Sequence, residues 1–527
     1  MDAATNSSAF SESDFFDAVV PQDHYLRRVA EQIDFEQFRP RFQDAYRWVM
    51  GRPPIDPIRM LKILFLRYHY RCASDRAVLE RVGTDMAFRW FLGLGIHDKI
   101  PHHTDCTHFR QRIGQERFTQ VFQDLVGQAR EFGLVRDRLR LKDATHICAA
   151  ISDVRPLALV AQVRDRLLQA AKPLFPDWVA AEQAKLETLR QTTREWSDDE
   201  RLEPRLEQVR DMTIALQDKL KDLPASIGTA SQRQRLERAV SVAAKLSADR
   251  VDGAQDRLIS GVDDDARLGK HGDYFRGFLL DLAMDPDSEI ITAVNVLPGN
   301  GAEAADAIHL IRQEEAAQQN DVAELSMDGA GYNGPVLRAL TDPAGLNIDV
   351  TVPVPTAEER KTFGPERFTL TIISADEGEV TCPQGQTTRR RERNRHDTAD
   401  KYIFRDEQCR SCPLRQQCLQ NPQGGGGRSV MKNDYEGDYE KARAKVGTPT
   451  YRATRSTHAK VERKLGEMAN RHGARRANFR GQPKVLTQML LTALTVNIKR
   501  IVKLIRLRRE APMATSTLPV RAELNAT

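Results

Sequence analysis

The stretch AELSMDGAGYNG, Ala323 to Gly334, decides how the rest of the chain is read. A short apolar run ends on Asp328, and a glycine-rich turn follows at once. An acid at a strand's end beside a flexible turn can point both oxygens at a metal ion, although an Asp before Gly is also ordinary turn chemistry. Two other stretches give it company. In RLRLKDATHICAA, Leu139, Leu141 and Asp143 alternate, so a strand there carries the acid on the leucine face. Much later, Glu462 lies in a helical stretch among basic residues. One acid on a strand, one after a strand and one on a helix make a candidate oxygen-ligand site for divalent metal.

The chain has 527 residues, too many for one ordinary core, and about two to four domains are expected. Charged residues at 29% and hydrophobic residues at 40% suit a globular protein rich in helix. No run reads as a membrane span, and the N-terminus MDAATNSSAFSESDFF is polar and acidic, unlike a signal peptide. The expectation is a cytoplasmic, nucleoid-associated protein. The net charge of +5 is modest, but Arg389 to Arg395 and Arg471 to Arg509 are dense in Arg and Lys. Such clustering points to a polyanion partner.

Of seven cysteines, Cys72, Cys106 and Cys148 are scattered in apolar or helical sequence and read as small buried residues. Cys382, Cys409, Cys412 and Cys418 share one short segment, and Cys409-Arg-Ser-Cys412 has the spacing of a zinc knuckle. Structural zinc is the expectation, with free thiols or a redox pair as alternatives. Four cysteine ligands leave no open position, so such a metal braces the fold.

Up to about Leu134 the pattern is helical: PQDHYLRRVAEQID, a break at GRPPIDP, then IRMLKILFLRYHYR with a broad apolar face. Two further helices follow, SDRAVLERVGTDMAFRWFLGL and a long one beginning near Thr104 or Asp105 as N-cap and carrying His108, Arg110 and Arg112. Two helices and a short connection resemble a helix-turn-helix DNA reader, and equally an all-helical packing domain with solvated arginines. From Arg155 to Ile259 the chain lacks β-branched runs, and Leu202, Leu206, Val209, Leu216, Leu220 and Leu223 fall near heptad spacing. A helical hairpin sealing against the body is preferred to a coiled coil.

Strand signals resume at YFRGFLLDLAMD and EIITAVNVLPGN, a hairpin. A helix from about Ala302 to Gln318 follows, then the strand ending at Asp328, a short helix near Pro335 to Leu340 and a strand at Asn347 to Pro353. That order is mixed-sheet α/β. Asp263, Asp264 and Asp265 read as a solvated turn in preference to a metal site, and Asp281, inside a strand pattern, is a weaker fourth acid. Residues 356–429 form an insertion with the four cysteines and a flexible glycine tract at Gly424 to Gly427. Helices return at Thr457 to Arg471 and Val485 to Arg509. The last sets Leu486, Leu490, Leu494, Ile498, Ile501 and Ile505 on one face, with Lys499, Arg500, Lys503, Arg506, Arg508 and Arg509 crowding the rest.

These motifs together carry a resemblance. D-A-T at Asp143, M-D-G-A-G-Y at Asp328 and V-E-R-K-L-G at Glu462, followed by a basic tail and T-V-N-I-K-R-I, resemble the DDE transposases of bacterial insertion sequences, in particular the IS1182-like group within the IS4/IS5 type. V-P-Q-D-H-Y-L-R, G-R-P-P-I-D-P, M-L-K-I-L, R-W-F-L-G-L and C-P-x-G at Cys382 extend the likeness over about Phe15 to Leu507.

The resemblance implies an RNase H-like mixed-sheet catalytic core (135–154 and 260–355), with Asp143, Asp328 and Glu462 holding Mg²⁺ or Mn²⁺. Around the core it implies an all-helical N-terminal DNA-binding domain (1–134), a helical insertion (155–259) and a four-cysteine, zinc-ribbon-like insertion (356–430). A catalytic helix with basic helices (431–510) and a disordered tail (511–527) complete the expected division. Arg110, Arg112, Arg452, Arg455, Arg463, Lys464, Arg471, Arg475, Arg476 and Arg480 are the expected DNA contacts. Two departures stand out: Ala469 occupies the place of a basic residue seven positions after the Glu, and Tyr451, Arg452 and Arg455 stand at unusual intervals before it. The implied partner is double-stranded DNA, as transposon ends and target, bound by a homodimer. A DNA-binding regulator without catalysis and a metal-dependent nuclease without strand transfer are the competing classes.

Overall fold

The structure is a computed structural model in which residues 11–46, 55–224, 226–249, 256–355, 362–374, 377–394 and 398–510 are described. The expected tail 511–527 and part of the break at Gly51 to Pro57 lie outside the described residues. In chain order the helices begin with α1 Glu12–Val19, α2 Tyr25–Gln32, α3 Pro57–His69, α4 Asp75–Thr84, α5 Met86–Leu92 and α6 His103–Glu131. Strand β1, Leu139–Cys148, is followed by α7 Pro156–Ala171, α8 Pro176–Thr192, α9 Asp198–Lys221 and α10 Ala230–Ala248. Next come β2 Arg267–His271, β3 Asp273–Met284, β4 Ile291–Pro298, α11 Glu303–Gln318, β5 Glu324–Ser326, α12 Gly334–Thr341 and β6 Asp349–Thr351. The cysteine-rich part contains β7 Thr369–Ser374, β8 Glu377–Thr381, β9 Thr387–Thr388, β10 Arg391–Asn394, β11 Ala399–Ile403, α13 Asp406–Arg410, α14 Arg415–Cys418 and β12 Ser429–Asn433. Helices α15 Glu436–Lys445, α16 Pro449–Arg471 and α17 Gln482–Glu510 close the chain.

These elements fall into two compact units. The first comprises Met1–Arg136, Ala144–Gly301 and Arg463–Thr527, the second Asp137–Asp143 and Ala302–Glu462. In the first unit the N-terminal helices pack through a phenylalanine-rich core that includes Phe38, Phe42, Phe65, Phe88 and Phe109. Helix α6 starts from His102, whose ring accepts from the Thr104 amide while Asp105 accepts from the His102 amide, so the cap lies before the expected Thr104 or Asp105. Nor is α6 continuous. Gly114, at φ 71° and ψ 169°, breaks it, a conformation costly for residues with a side chain beyond hydrogen.

Helices α7 to α10 pack around a core of Val163, Leu167, Leu206, Val209, Leu216, Leu236 and Ala243, four helices where a hairpin was expected. Leu202, Leu220 and Leu223 of the leucine series only edge that core, as a packed helical bundle requires and a long coiled coil does not. Strand β3 pairs antiparallel with β2 through its first residues and with β4 through the rest, Asp281 standing opposite Asn295.

Three expectations for the first unit are corrected. From Val485 to Ile498 helix α17 is buried on nearly all sides, so its apolar surface is no single face and, Lys484 in the first turn apart, its cations lie from Lys499 onward. The buried polar groups are hydrogen-bonded, as burial demands: Asn497 receives the Ile291 amide at 2.9 Å and donates to the Ile291 carbonyl at 2.7 Å. This helix is also long and apolar enough to cross a membrane, contrary to the expectation that no run is, and 83% of its most apolar window is buried in the protein. The acidic turn is not solvated. Asp263 is buried and accepts from the Gly481 amide, Asp265 accepts from the Gln482 amide, and Asp264 pairs with Arg166 and Arg238. The Asp263 and Asp265 carboxylates meet the orphan amides and positive dipole end of α17.

The second unit holds the parallel trio β1, β5 and β6, with α11, α12 and α15 packed through Ala307, Ile311, Leu325, Leu337, Val350 and Ala442. The glycine turn after Asp328 has a packing reason: a Cβ on Gly331 would come within 2.9 Å of Met327 and Val352 side-chain atoms. The cysteine-rich part folds as two small antiparallel sheets, β7-β8-β9 and β10-β11-β12, around Phe368, Val380, Tyr402, Phe404 and Val430. The fold class is mixed α/β with a helical N-terminal region.

Candidate active site

All three expected acids belong to the second unit. Strands β1 and β5 run parallel, with Leu139 level with Glu324, Arg140 with Leu325 and Leu141 with Ser326. Carrying that register two residues further sets Asp143 level with Asp328. Alternation then gives Leu141, Asp143, Ser326 and Asp328 one face of the sheet and Arg140 and Lys142 the other. The second face belongs to α11. Arg140 and Glu314 are both fully buried there, with Nε and Nη2 donating to the carboxylate at 2.6 to 3.0 Å, and Lys142 Nζ donates to the Glu303 carbonyl at 2.7 Å.

The acid-bearing face is met by α16. Arg455 Nη1 donates to the Met327 carbonyl at 2.6 Å, one residue before Asp328, and to Ser326 Oγ at 3.4 Å. A hydrogen bond of 3.1 Å joins Ser326 Oγ and His458 Nδ1. His458 is 2% exposed, and burial, then Arg455, pushes its pKa down to about 4 against the opposing influence of Asp328. Its imidazole is therefore neutral at pH 7. Glu462 follows His458 by four residues, one turn or about 6 Å along the same helical face, and is exposed where Asp143 and Asp328 are half-buried. Asp328 also accepts from the Ala330 amide at 3.2 Å, which orients one carboxylate oxygen. Sequence reading missed Ser326 and His458, since a lone Ser and a lone His carry no motif; the i, i+4 spacing of His458 and Glu462 was the available signal.

The expected DNA contacts divide by what they already bind. Arg110 sends its two terminal nitrogens to Asp75, both side chains nearly buried, and its guanidinium lies over Phe479. Arg112 lies over the Tyr46 ring, Arg452 donates to the Gly447 carbonyl, Arg480 to the Ala150 carbonyl, and Arg475 to Thr145 and His146. Lys464 is 4% exposed and held by Glu467 at 3.1 Å. Arg463, Arg471 and Arg476 are exposed. Arg463 and Arg471 line a cavity of about 530 Å³ in the first unit with Lys499, Arg500 and Lys503. Within it burial would raise Glu467, but hydrogen bonds from Lys499 and Lys464 hold it down at about 2, so it stays a carboxylate that anchors those lysines.

Among the described residues no three or more His, Cys, Asp or Glu side chains are placed so as to hold a metal ion. The donor chemistry is nonetheless coherent. Asp143 and Asp328 offer hard oxygens on one face, the ligand type of Mg²⁺ and Mn²⁺. Cys382, Cys409, Cys412 and Cys418 line one small apolar cavity of about 20 Å³. The Cys382 carbonyl accepts from the Gly385 amide, the Cys409 carbonyl from the Cys412 amide, and Cys409 Sγ from the Arg428 amide at 3.4 Å. Burial, together with the other three sulfurs, pushes the Cys418 thiol up, as gathering thiols in one apolar pocket requires. Cys106 is buried and its thiol is pushed up to about 12 by burial, so it reads as core.

Two family models match the chain: Transposase domain (DUF772) over residues 14–112 and Transposase DDE domain over residues 381–502. Neither spans half the chain. The second match contains Glu462, the four cysteines and the basic tail, and begins after Asp143 and Asp328. No curated protein matches the chain. The two matches place the segments they cover among the DDE transposases of insertion sequences, and the DDE match implies an RNase H-like core.

Proposed function

We propose that this chain is a transposase of the IS1182-like group, which binds the terminal inverted repeats of an insertion sequence, cleaves DNA there and transfers the freed strand into a target. The observation that supports this reading is the parallel register of β1 on β5, with Leu141 beside Ser326 two residues before Asp143 and Asp328, together with the bond from Ser326 to His458, one helical turn before Glu462 on α16. In this reading Asp143, Asp328 and Glu462 hold two Mg²⁺ or Mn²⁺ ions. When bound, such ions activate an attacking hydroxyl and stabilise the leaving oxygen of an in-line displacement at phosphorus. The chain's own part is to fix three carboxylates on rigid elements, with Asp328 oriented by the Ala330 amide and α16 held to β5 by Arg455 and His458. Exposed Arg463, Arg471 and Arg476 meet phosphates, which makes binding strongly salt-dependent. The N-terminal helices contribute DNA contacts through Arg112, the cysteine module is braced by zinc, and two copies bring two ends together.

The test is a cleavage and joining assay with Mg²⁺ on duplexes carrying the inverted repeats that flank the coding region. Wild type is expected to nick and join, and Asp143→Asn, Asp328→Asn and Glu462→Gln are each expected to bind the DNA and leave it intact. Nicking that survives all three substitutions refutes the site. Cleavage without joining identifies a nuclease, and binding without cleavage by wild type identifies a regulator.

A further inference from the structure

The helical insertion contains a cluster of arginines that the catalytic reading leaves unused. Arg205 on α9 is 8% exposed, its Nη2 donates to Thr193 Oγ1 at 3.3 Å, and its Nη1 is buried with no hydrogen-bond partner among the described residues. No carboxylate among the described residues forms an ion pair with it. Burial, then the like charges of Arg164 on α7, Arg190 on α8 and Arg201 on α9, hold its pKa below the usual guanidinium range, and Arg201 shares Thr193 with it by donating to that residue's carbonyl.

The carboxylates paired with the other three arginines are each more than half exposed, and none of them reaches Arg205. Arg164 spends Nε and Nη2 on Asp165, which is 55% exposed. Arg201 donates to the Thr193 and Arg194 carbonyls at 2.9 and 2.5 Å and reaches Asp198 only at 3.8 Å. Arg190 faces Glu187 at 3.6 Å, both more than half exposed, so the cluster has an open side. A buried guanidinium among like charges is unfavourable until an anion completes it.

We propose that Arg164, Arg190, Arg201 and Arg205 form an oxyanion site whose ligand is a phosphate group. Guanidinium forks match phosphate oxygens in pairs, and a multiply charged anion can satisfy several arginines at once. The phosphate comes either from a DNA backbone or from a free phosphate species, and the two sources separate experimentally.

The full-length protein is titrated with inorganic phosphate at constant ionic strength, by calorimetry and by thermal shift. Its binding to random-sequence duplex is measured across a KCl series. Wild type is expected to bind phosphate saturably, with affinity lowered by about tenfold or more in Arg205→Met, the scale of a lost charge-assisted hydrogen bond. Arg190→Gln, at an exposed position, is expected to weaken it in the same direction and decides the matter if Arg205→Met fails to fold. A DNA source also flattens the slope of log affinity against log salt by about one in Arg205→Met; a free-phosphate source leaves that slope unchanged while phosphate binding is lost. Wild type that binds no phosphate and shares its salt slope with both variants overturns the site, as do folded variants that match wild type in both measurements. The outcome is independent of the catalytic reading, since Asp143→Asn leaves this cluster intact.

Discussion

The bond network behind β1 gives a prediction with a defined size. Arg140 and Glu314 are both 0% exposed, joined by three contacts of 2.6 to 3.0 Å, and Asn320 donates to the same carboxylate at 3.1 Å. Replacing Glu314 by Ala leaves a buried guanidinium without its main counter-charge, which costs about 3 to 5 kcal/mol. Arg140 keeps the Leu139 carbonyl at 3.1 Å and Asp137 at 3.7 Å, so the lower end, about 3 kcal/mol, is expected. A double change to Arg140→Met and Glu314→Leu removes both charges together and should fall within about 1 kcal/mol of wild type or exceed it. A chain of this length with two units need not unfold in one step, so the assay is native-state hydrogen exchange on peptides from β1, β5 and α11. The single variant should exchange about a hundredfold faster there, and the double variant about as wild type does. If Glu314→Ala changes exchange by less than about fivefold, or if the double variant is as perturbed as the single, the pair does not hold β1 and the account of how Asp143 is supported fails.

Glu467 offers a test in pH. Its pKa is lowered from 4.5 to about 2, so its contribution is complete above 4.5 and is lost as pH falls from there toward 2; the shift corresponds to about 3 kcal/mol. The stability gap between wild type and Glu467→Gln should therefore shrink below pH 4.5, and a gap that is constant or widens would count against the lysine pairing. Ser326→Ala leaves the buried His458 ring without its Nδ1 partner and should cost about 1 to 3 kcal/mol, with the midpoint Mg²⁺ requirement for cleavage raised and DNA binding unchanged; an unchanged Mg²⁺ requirement removes the positioning role. Purified protein should contain one zinc per chain, lose it with Cys412→Ser and melt earlier when it is removed; zinc-free protein with four free thiols and unaltered melting disposes of the module's metal.

Local periodicity made the acids legible and little more. The alternation of Leu139, Leu141 and Asp143 stated a strand face, and β1 supplies it. Which strand would lie beside it, and in which register, depends on contacts across 185 residues that no local pattern encodes. The same distance hid the acidic turn: Asp265 caps a helix 217 residues away, so only the fold could distinguish a cap from a solvated loop. Strand β2, RLGKH, escaped because it lacks apolar alternation and is held by β3 instead. In α17 the apolar spacing was visible, yet the burial of Thr492, Thr495 and Asn497 was not, because their polar groups are satisfied by helix carbonyls and by Ile291.

A physical division follows from these cases. Side-chain alternation fixes where a carboxylate points relative to its own strand, while the spacing between carboxylates is set by long-range pairs such as Ser326 with His458 and Met327 with Arg455. Both of those pairs tie the end of β5 and the residue after it to α16, and the sequence pattern gave no reason to pair either Ser326 with His458 or Met327 with Arg455. The separation of Asp328 and Glu462 therefore rests on an uncharged buried histidine and one arginine, and α16 can be shifted against β5 without altering a single acid.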